Sequence, residues 1–236
     1  MPRPPSPRPR PAAPVPPSLC PPFLLCLTLG LLFGLITWQV VADGPLVRLD
    51  ERISRAAVRP GRVSDALADL GNVEVAVPVL AAVAAYAARR RRRAGERRWW
   101  RPAAGALGLM ALVPVLVVPV KELTDRPGTP AVPPATGYFP SGHTATAVVA
   151  YGCAALLVLP WLRRALVRRA VVAGGAVVNL GVGVGLVRHG YHWPLDVVAS
   201  WCLGAVLLTV FATSAGVSRS SRRTCAGTPS SRTGPS

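Results

Sequence analysis

Six apolar segments, each close to the length that crosses a bilayer, limit what this chain can fold into. A membrane-spanning helix needs about 20 mostly apolar residues, and a chain with several such stretches folds as a helical bundle in the membrane. The segments cover residues 23–42, 73–88, 102–120, 143–159, 170–187 and 194–213. We therefore predict an all-α fold, a polytopic membrane bundle of about six transmembrane helices.

Both ends of the chain differ from this central region. Residues 1–22 contain 11 of the 26 prolines, and residues 214–236 are low in complexity. Neither end has a periodic apolar pattern, so we predict disordered tails on either side of one domain, residues 23–213. Val40-Val41-Ala42 resembles a signal-peptide cleavage site, but the preceding apolar stretch is longer than a signal core, which favours a retained anchor.

The basic residues follow the membrane topology. The formal net charge is +17, but the arginines separate apolar segments instead of forming a polar, aromatic-rich surface, so nucleic acid is not expected as a partner. The two tails and the loops after the second and fourth segments carry 19 of the 27 lysines and arginines. The positive-inside rule places these regions, and both termini, in the cytoplasm. The loops after the first, third and fifth segments then face outward.

All three histidines fall at this predicted outer face. His143 lies in the stretch "GYFPSGHTA", residues 137–145, and His189 and His192 lie in "RHGYHWPLD", residues 188–196. Packing of an apolar bundle does not require such clustering, so these two stretches are the candidate functional segments. His189 is expected to line the loop without a catalytic role.

The only lysine of the chain, Lys121, ends the third apolar segment, and Arg126 follows shortly after it. A lysine at a helix end can simply extend its ammonium to the interface. An ammonium beside a planar guanidinium is also a good clamp for a phosphoryl group. Both interpretations of Lys121 stay open on this pattern alone.

The sequence Pro140-Ser141-Gly142-His143 opens the fourth segment. Ser141 is a natural N-cap, and Gly142 leaves room for a ligand to approach the free N–H groups, which form an anion site at a helix start. His143 would then place an imidazole beside the bound anion. The alternative is an ordinary helix cap with an interfacial histidine.

His192 and Asp196 are four residues apart at the start of the sixth segment. If this turn is helical, the two side chains share a face, and a carboxylate on one imidazole nitrogen leaves the other as an oriented nucleophile. A structural His–Asp pair at a helix start is the alternative. Arg188, just before the histidines, is a further candidate for phosphate binding.

Together these residues have the parts for phosphoryl transfer without a metal. We predict His192 as nucleophile, Asp196 as its partner and His143 as proton donor. The predicted phosphate-binding residues are Lys121, Arg126, Ser141, Gly142 and Arg188. No cofactor and no metal are expected, because the histidines and Asp196 have separate roles and the five cysteines show no metal-binding spacing.

The motifs resemble those of the type 2 phosphatidic acid phosphatase (PAP2) family, membrane relatives of the vanadium haloperoxidases. The family pattern reads Lys-x6-Arg-Pro, Pro-Ser-Gly-His and Ser-Arg-x5-His-x3-Asp. The second part matches in full at residues 140–143, and His192-x3-Asp196 matches the end of the third. The resemblance implies a six-helix fold and a phosphohistidine mechanism with the roles given above.

Two arginines depart from that pattern. The first motif expects arginine at Gly128, whereas Arg126 lies two positions early, and the third expects it at Leu186, whereas Arg188 lies two positions late. Either the arginines reach the site through altered loops, or the protein binds phosphate weakly and is a specialised phosphatase.

The resemblance implies an integral-membrane phosphatase acting on lipid phosphate monoesters or diphosphates, such as phosphatidate-like lipids or polyprenyl diphosphates. The expected partners are the lipid phosphate and the bilayer; the sequence gives no oligomeric state. Two alternatives remain: a phosphotransferase, which an acceptor assay would identify, and a non-catalytic relative that has lost its phosphate clamp. A transporter is disfavoured because the apolar segments carry few polar residues at mid-depth.

Overall fold

The computed structural model of the protein describes residues 21–214, and within this range the chain is helical. The helices are α1 (Pro21–Val41), α2 (Pro45–Ala57), α3 (Arg62–Asp69), α4 (Val73–Arg93), α5 (Arg101–Thr124), α6 (Gly142–Val158), α7 (Ala165–His189) and α8 (Pro194–Ser214). A short 3-10 turn, Leu159–Trp161, follows α6. The predicted tails lie outside the described residues, except that Pro21 and Pro22 already belong to α1 and Ser214 ends α8.

The predicted all-α membrane bundle is confirmed. Five helices are long and apolar enough to span a bilayer by themselves: α1, α5, α6, α7 and α8. Helix α4 ends in a run of arginines at 89–93, and it passes the same test only together with α3, which precedes it at a bend of 46°. The protein is therefore a multi-pass membrane protein with five or six spans.

Helix α6 occupies the centre of the bundle and packs against α4, α5, α7 and α8. Its side chains are mostly small, so neighbouring backbones approach closely, which is how membrane helices gain packing energy. Gly204 of α8 shows how close: an added Cβ would lie 2.4 Å from the Val148 side chain. The core formed with α4 and α5 includes Leu80, Val113 and Val149. This packing fixes the start of α6 relative to its neighbours.

The connection between the first two spans contains two short amphipathic helices, which the sequence analysis treated only as a loop. In α2, Val47, Asp50 and Ser54 are buried, while Leu49 and Ile53 are about half exposed. Such a helix lies along a membrane interface with one face on the bundle. It therefore brings a carboxylate, Asp50, into the interior of the protein.

Gly185 brings α3 against α7. A Cβ at this position would lie 2.7 Å from the backbone nitrogen of Ala68 and from the backbone oxygen of Ser64. Only glycine permits this backbone approach without displacing α3. Helices α3 and α7 together close the side of the bundle beside the histidine loops.

Candidate active site

Two loops converge at one end of the bundle, called here the histidine end because it holds His143 and His192. The loop at residues 125–141 joins α5 to α6, and residues 190–193 join α7 to α8. The Ser141 N–H donates to the Asp196 carbonyl oxygen at 3.1 Å. The Ser200 hydroxyl donates to the backbone oxygens of both Ser141 and Asp196, at 2.8 and 2.9 Å. These bonds lock the start of α6 to the start of α8.

His192 is held by Asp196 from the first turn of α8. The His192 Nδ1 lies 3.1 Å from Asp196 Oδ2, which also accepts the Trp193 N–H at 3.2 Å. Because the carboxylate holds Nδ1, the imidazole presents Nε2 as its free nitrogen. Asp196 is fully buried and His192 nearly so, so the pair has a fixed orientation.

His143 faces His192 across a cavity. The two ring centroids lie 6.1 Å apart with an interplanar angle of 64°, and both side chains line the same space. Tyr138 lines the cavity as well, with its ring 5.7 Å from the His192 ring in an edge-on arrangement. The two loops predicted to converge therefore do so, and one bound group can contact both imidazoles.

Lys121 and Gly142 complete the polar end of this cavity. The Lys121 ammonium lies at the end of α5 and donates to the Gly137 carbonyl oxygen at 2.7 Å. Gly142 is the first residue of α6, and an added Cβ would meet nothing within 4 Å. A cation and an unobstructed helix start thus face the same volume as the two imidazoles, an arrangement that suits an anion.

The cavity has a volume of about 890 Å³ and continues far beyond the histidines. It runs between α4 and α5, where its apolar lining includes Val77, Leu107, Met110, Pro114 and Val118. Leu107 and Val118 are also 41% and 45% exposed on the outside of the bundle, so the cavity opens sideways between the helices. Polar side chains, with Glu74 beside Lys121 and the two histidines, line one part of the cavity, and the rest of its lining is hydrocarbon-like.

Ser141, a predicted phosphate-binding residue, has its side chain in the interior of the protein. Its side chain is fully buried and accepts the Thr144 N–H at 3.3 Å as the N-cap of α6. It is not among the described residues that line the cavity. Ser141 therefore contributes to the anion site indirectly, because it fixes the start of α6.

The two predicted phosphate-binding arginines are also placed outside the cavity. Arg126 is 5% exposed and forms ion pairs with Asp196, the partner of His192, at 2.6 Å and with Asp50 at 2.5 Å. Arg188 is exposed near the end of α7, and its carbonyl oxygen accepts the Arg59 N–H. The altered spacing of these arginines thus does not bring them to the cavity here. Of the described lysine and arginine residues, Lys121 is the one that lines the cavity.

The third histidine, His189, is not among the described residues that line the cavity. His189 stacks on Tyr191 with a centroid distance of 4.2 Å. Its Nδ1 is 3.7 Å from Asp65 Oδ1 on α3. It therefore belongs to the contact between α7 and α3.

Asp50, Tyr138 and Glu74 are the site residues that sequence reasoning missed. Tyr138 and Glu74 line the cavity, and Asp50 pairs with Arg126. Burial raises the pKa of the Asp50 carboxyl above its ordinary value, against the opposing effects of Arg126 and of the Leu195 N–H. The available signal was the spacing of Val47, Asp50 and Ser54, which places an aspartate on the buried face of an amphipathic helix.

Fold and site define a polytopic helical membrane protein with paired histidines at one end of the bundle. The profile of the PAP2 superfamily matches residues 103–219, a region that contains His143, His192 and Asp196. Over this stretch, just under half of its length, the chain matches the PAP2 superfamily.

A comparison of structures supports the same fold. The structure is similar to the crystal structure of a transmembrane PAP2-type phosphatidylglycerolphosphate phosphatase from Bacillus subtilis. The TM-score is 0.69 at 24% sequence identity, and the match covers 84% of this chain and 98% of the other. A sequence comparison with curated proteins finds no match.

Proposed function

We propose that the protein is an integral-membrane phosphatase that hydrolyses lipid phosphate monoesters or diphosphates. The observation that carries this proposal is the pair of imidazoles, 6.1 Å apart, that line one cavity with Lys121. One imidazole is oriented by a buried carboxylate, as a nucleophile requires. The match to the PAP2 superfamily over residues 103–219 supports the same reaction class.

In the proposed reaction, His192 Nε2 attacks phosphorus in line with the departing oxygen. The P–N bond forms while the P–O bond breaks, and His143 donates a proton to the leaving oxygen. His143 then takes a proton from water, whose oxygen attacks phosphorus, and the P–N bond breaks to release phosphate. Lys121 and the N–H groups at the start of α6 stabilise charge on the phosphoryl oxygens. No step is routed through a metal.

A lipid substrate fits the shape of the cavity. The lining extends along α5 from Lys121 to Leu107, which corresponds to about 21 Å at the rise of an α-helix. A phosphate at the polar end would leave a hydrocarbon tail along the apolar part, which is open between α4 and α5. Phosphatidylglycerolphosphate, the substrate named for the Bacillus subtilis protein, therefore belongs in a panel with phosphatidate and a polyprenyl diphosphate.

The distribution of arginines supports an active site on the extracytoplasmic face. The end of α4 and the turn that follows it, at the opposite end of the bundle from the histidines, contain Arg89–Arg93, Arg97 and Arg98. The positive-inside rule places that end in the cytoplasm. Labelling of single cysteines with a membrane-impermeant reagent in intact cells tests this: a cysteine at exposed residue 134 should react, and one at exposed residue 95 should not.

Histidine substitutions test the proposed reaction. Detergent-solubilised protein should release phosphate from at least one lipid of the panel in the presence of EDTA, with inhibition by vanadate. His192→Ala and His143→Ala should each lower turnover by about 10³-fold or more, since residues that act as one catalytic unit fail together. His189→Ala is the matched control, because His189 lies outside the cavity, and it should stay near wild type. Near-normal turnover in His192→Ala would overturn the proposal.

A further inference from the structure

A carboxylate from α2 is linked to the proposed nucleophile through two ion pairs. Asp50 Oδ2 lies 2.5 Å from an Arg126 nitrogen, and the other terminal nitrogen of Arg126 lies 2.6 Å from Asp196 Oδ1. Asp196 Oδ2 in turn holds His192 Nδ1 at 3.1 Å. We infer that Asp50 is a positioning residue for His192, acting through Arg126 and Asp196. This inference rests on the proposed function.

The burial of these charges makes each one depend on the others. Asp50, Arg126 and Asp196 are 2%, 5% and 0% exposed, so water does not screen them. Removing one partner of a buried ion pair leaves an uncompensated charge, which is strongly unfavourable. The position of Asp196 is therefore set partly by a residue of α2, which lies outside the region matched by the superfamily profile.

Asp50 also holds the start of α8 directly. Its second oxygen, Oδ1, accepts the Leu195 N–H at 2.8 Å, one residue before Asp196. A carboxylate on a free N–H at a helix start is a favourable charge-assisted bond. Asp50 thus fixes both the guanidinium beside Asp196 and the helical turn that carries Asp196.

The charge of this cluster has a consequence for the reaction. One guanidinium serves two carboxylates, so when Asp50, Arg126 and Asp196 are all ionised the cluster has one net negative charge. When His192 Nε2 forms the P–N bond, its ring becomes cationic, and a negative charge at Asp196 stabilises that state. Without the Asp50 charge, Arg126 would neutralise Asp196 alone, and the ring would lose part of this stabilisation.

The variant Asp50→Asn removes this charge with little change of shape. An asparagine oxygen can still accept the Leu195 N–H, so mainly the electrostatic contribution is lost. We expect kcat to fall about tenfold, at the low end of the effects of losing an outer-shell partner, because Arg126 and Asp196 lie between Asp50 and His192. KM should be unchanged, because Asp50 is not among the described residues that line the cavity.

The pH profile separates this role from a purely structural one. Loss of a negative charge disfavours the protonated imidazole, so the acid limb of the kcat/KM profile should move about half a pH unit lower. The other titratable and charged groups around His192 are Lys121, Arg126, Tyr138, His143 and Asp196, and they are the same in wild type and variant. The shift is therefore assigned to residue 50.

Glu51→Gln is the matched control. It makes the same change of charge one residue away, at a side chain that is 40% exposed and whose ion pair within residues 21–214 is with Arg55 at 3.7 Å. It should keep the wild-type kcat and acid limb. Asp50→Glu retains the charge and should keep the acid limb of the wild type even if a longer side chain lowers kcat.

The pH profiles should be measured in isolated membranes. The position of the acid limb does not depend on the amount of active enzyme, so even a variant that folds in low yield reports it. An acid limb of Asp50→Asn that coincides with wild type overturns the inference, as does an equal shift in Asp50→Glu. If wild type releases no phosphate from any lipid, the proposed function fails instead. If His192→Ala is inactive while Asp50→Asn matches Glu51→Gln, only the inference on Asp50 fails.

Discussion

The two ends of the bundle both contain clusters of charge, but they hold them in different ways. At the histidine end, Asp50, Arg126 and Asp196 are buried and come from three separate parts of the chain. At the other end, called here the arginine end, the arginines of residues 89–93 are mostly exposed. There Arg90 stacks on Trp161 at 5.1 Å and Arg92 on Trp99 at 5.5 Å.

This difference indicates which charges the fold depends on. An exposed arginine that rests on an aromatic ring keeps its hydration, so its loss costs little. A buried guanidinium between two carboxylates has no water to replace a lost partner. The histidine end should therefore respond strongly to single substitutions, and the arginine end weakly.

The largest effect is expected for Arg126→Gln compared with Arg90→Gln. Loss of Arg126 leaves two buried carboxylates without their cation, which should lower the free energy of unfolding by about 3–5 kcal/mol. The same change at exposed Arg90 should cost no more than about 1 kcal/mol, the value of its cation–π contact with Trp161. Unfolding of both variants in the same detergent measures the difference, and equal stabilities would remove the contrast between the two ends.

The next effect concerns Lys121, the cation that lines the cavity. Lys121→Gln keeps a donor for the Gly137 carbonyl oxygen but loses the charge. A charge-assisted bond to phosphate contributes about 1.5–3 kcal/mol, so kcat/KM for a lipid phosphate should fall roughly 10- to 100-fold. Arg92→Gln changes the charge equally at the arginine end and should leave kcat/KM unaltered; a similar loss in both variants would point to a general charge effect.

A smaller effect on stability should distinguish two glycines of α7. Gly185→Ala, near the histidine end, would push on the backbone of α3 at 2.7 Å and should destabilise by about 1–3 kcal/mol. Gly174→Ala, closer to the arginine end, meets nothing within 4 Å, and alanine favours helix over glycine by about 0.5–1 kcal/mol. The midpoint temperature of thermal unfolding should therefore fall in Gly185→Ala and rise in Gly174→Ala. A stabilising Gly185→Ala would contradict the close packing.

The smallest effect is expected at the aromatic partner of the arginine end. Trp161→Leu removes the ring beneath Arg90 and Arg91, a cation–π contact worth about 0.5–1 kcal/mol, while leucine keeps an apolar side chain against the core. Phosphate release should stay at the wild-type rate, because Trp161 is at the opposite end of α6 from His143. A large loss of activity would show that the two ends are coupled through α6.

The spans and the meeting of the two histidine loops could be predicted from the sequence. Apolar length identifies the spans, and an even number of crossings places the loops after the third and fifth segments together. The boundaries were less accurate at charged ends: α4 continues to Arg93 because long arginine stems can cover apolar surface while their charges reach water.

The surroundings of Arg126 could not be predicted. Helices α2 and α3 are short and amphipathic, so an apolar pattern of spanning length does not detect them. The direction of Arg126 depends on Asp125, which ends α5 in a left-handed conformation with φ of 43°, and on Asp50, which is 76 residues away in sequence. The spacing of residues within a motif predicts neither the left-handed conformation of Asp125 nor the contact of Arg126 with Asp50.

The sideways opening between α4 and α5 has a consequence for kinetics under the proposed function. A lipid that enters through this opening arrives from the plane of the membrane, so its mole fraction among neighbouring lipids sets occupancy, and its bulk concentration does not. Diluting the substrate with inert phospholipid should then slow turnover even at constant total substrate. The dephosphorylated lipid stays in the same two-dimensional phase and competes for re-entry, whereas inorganic phosphate departs into water.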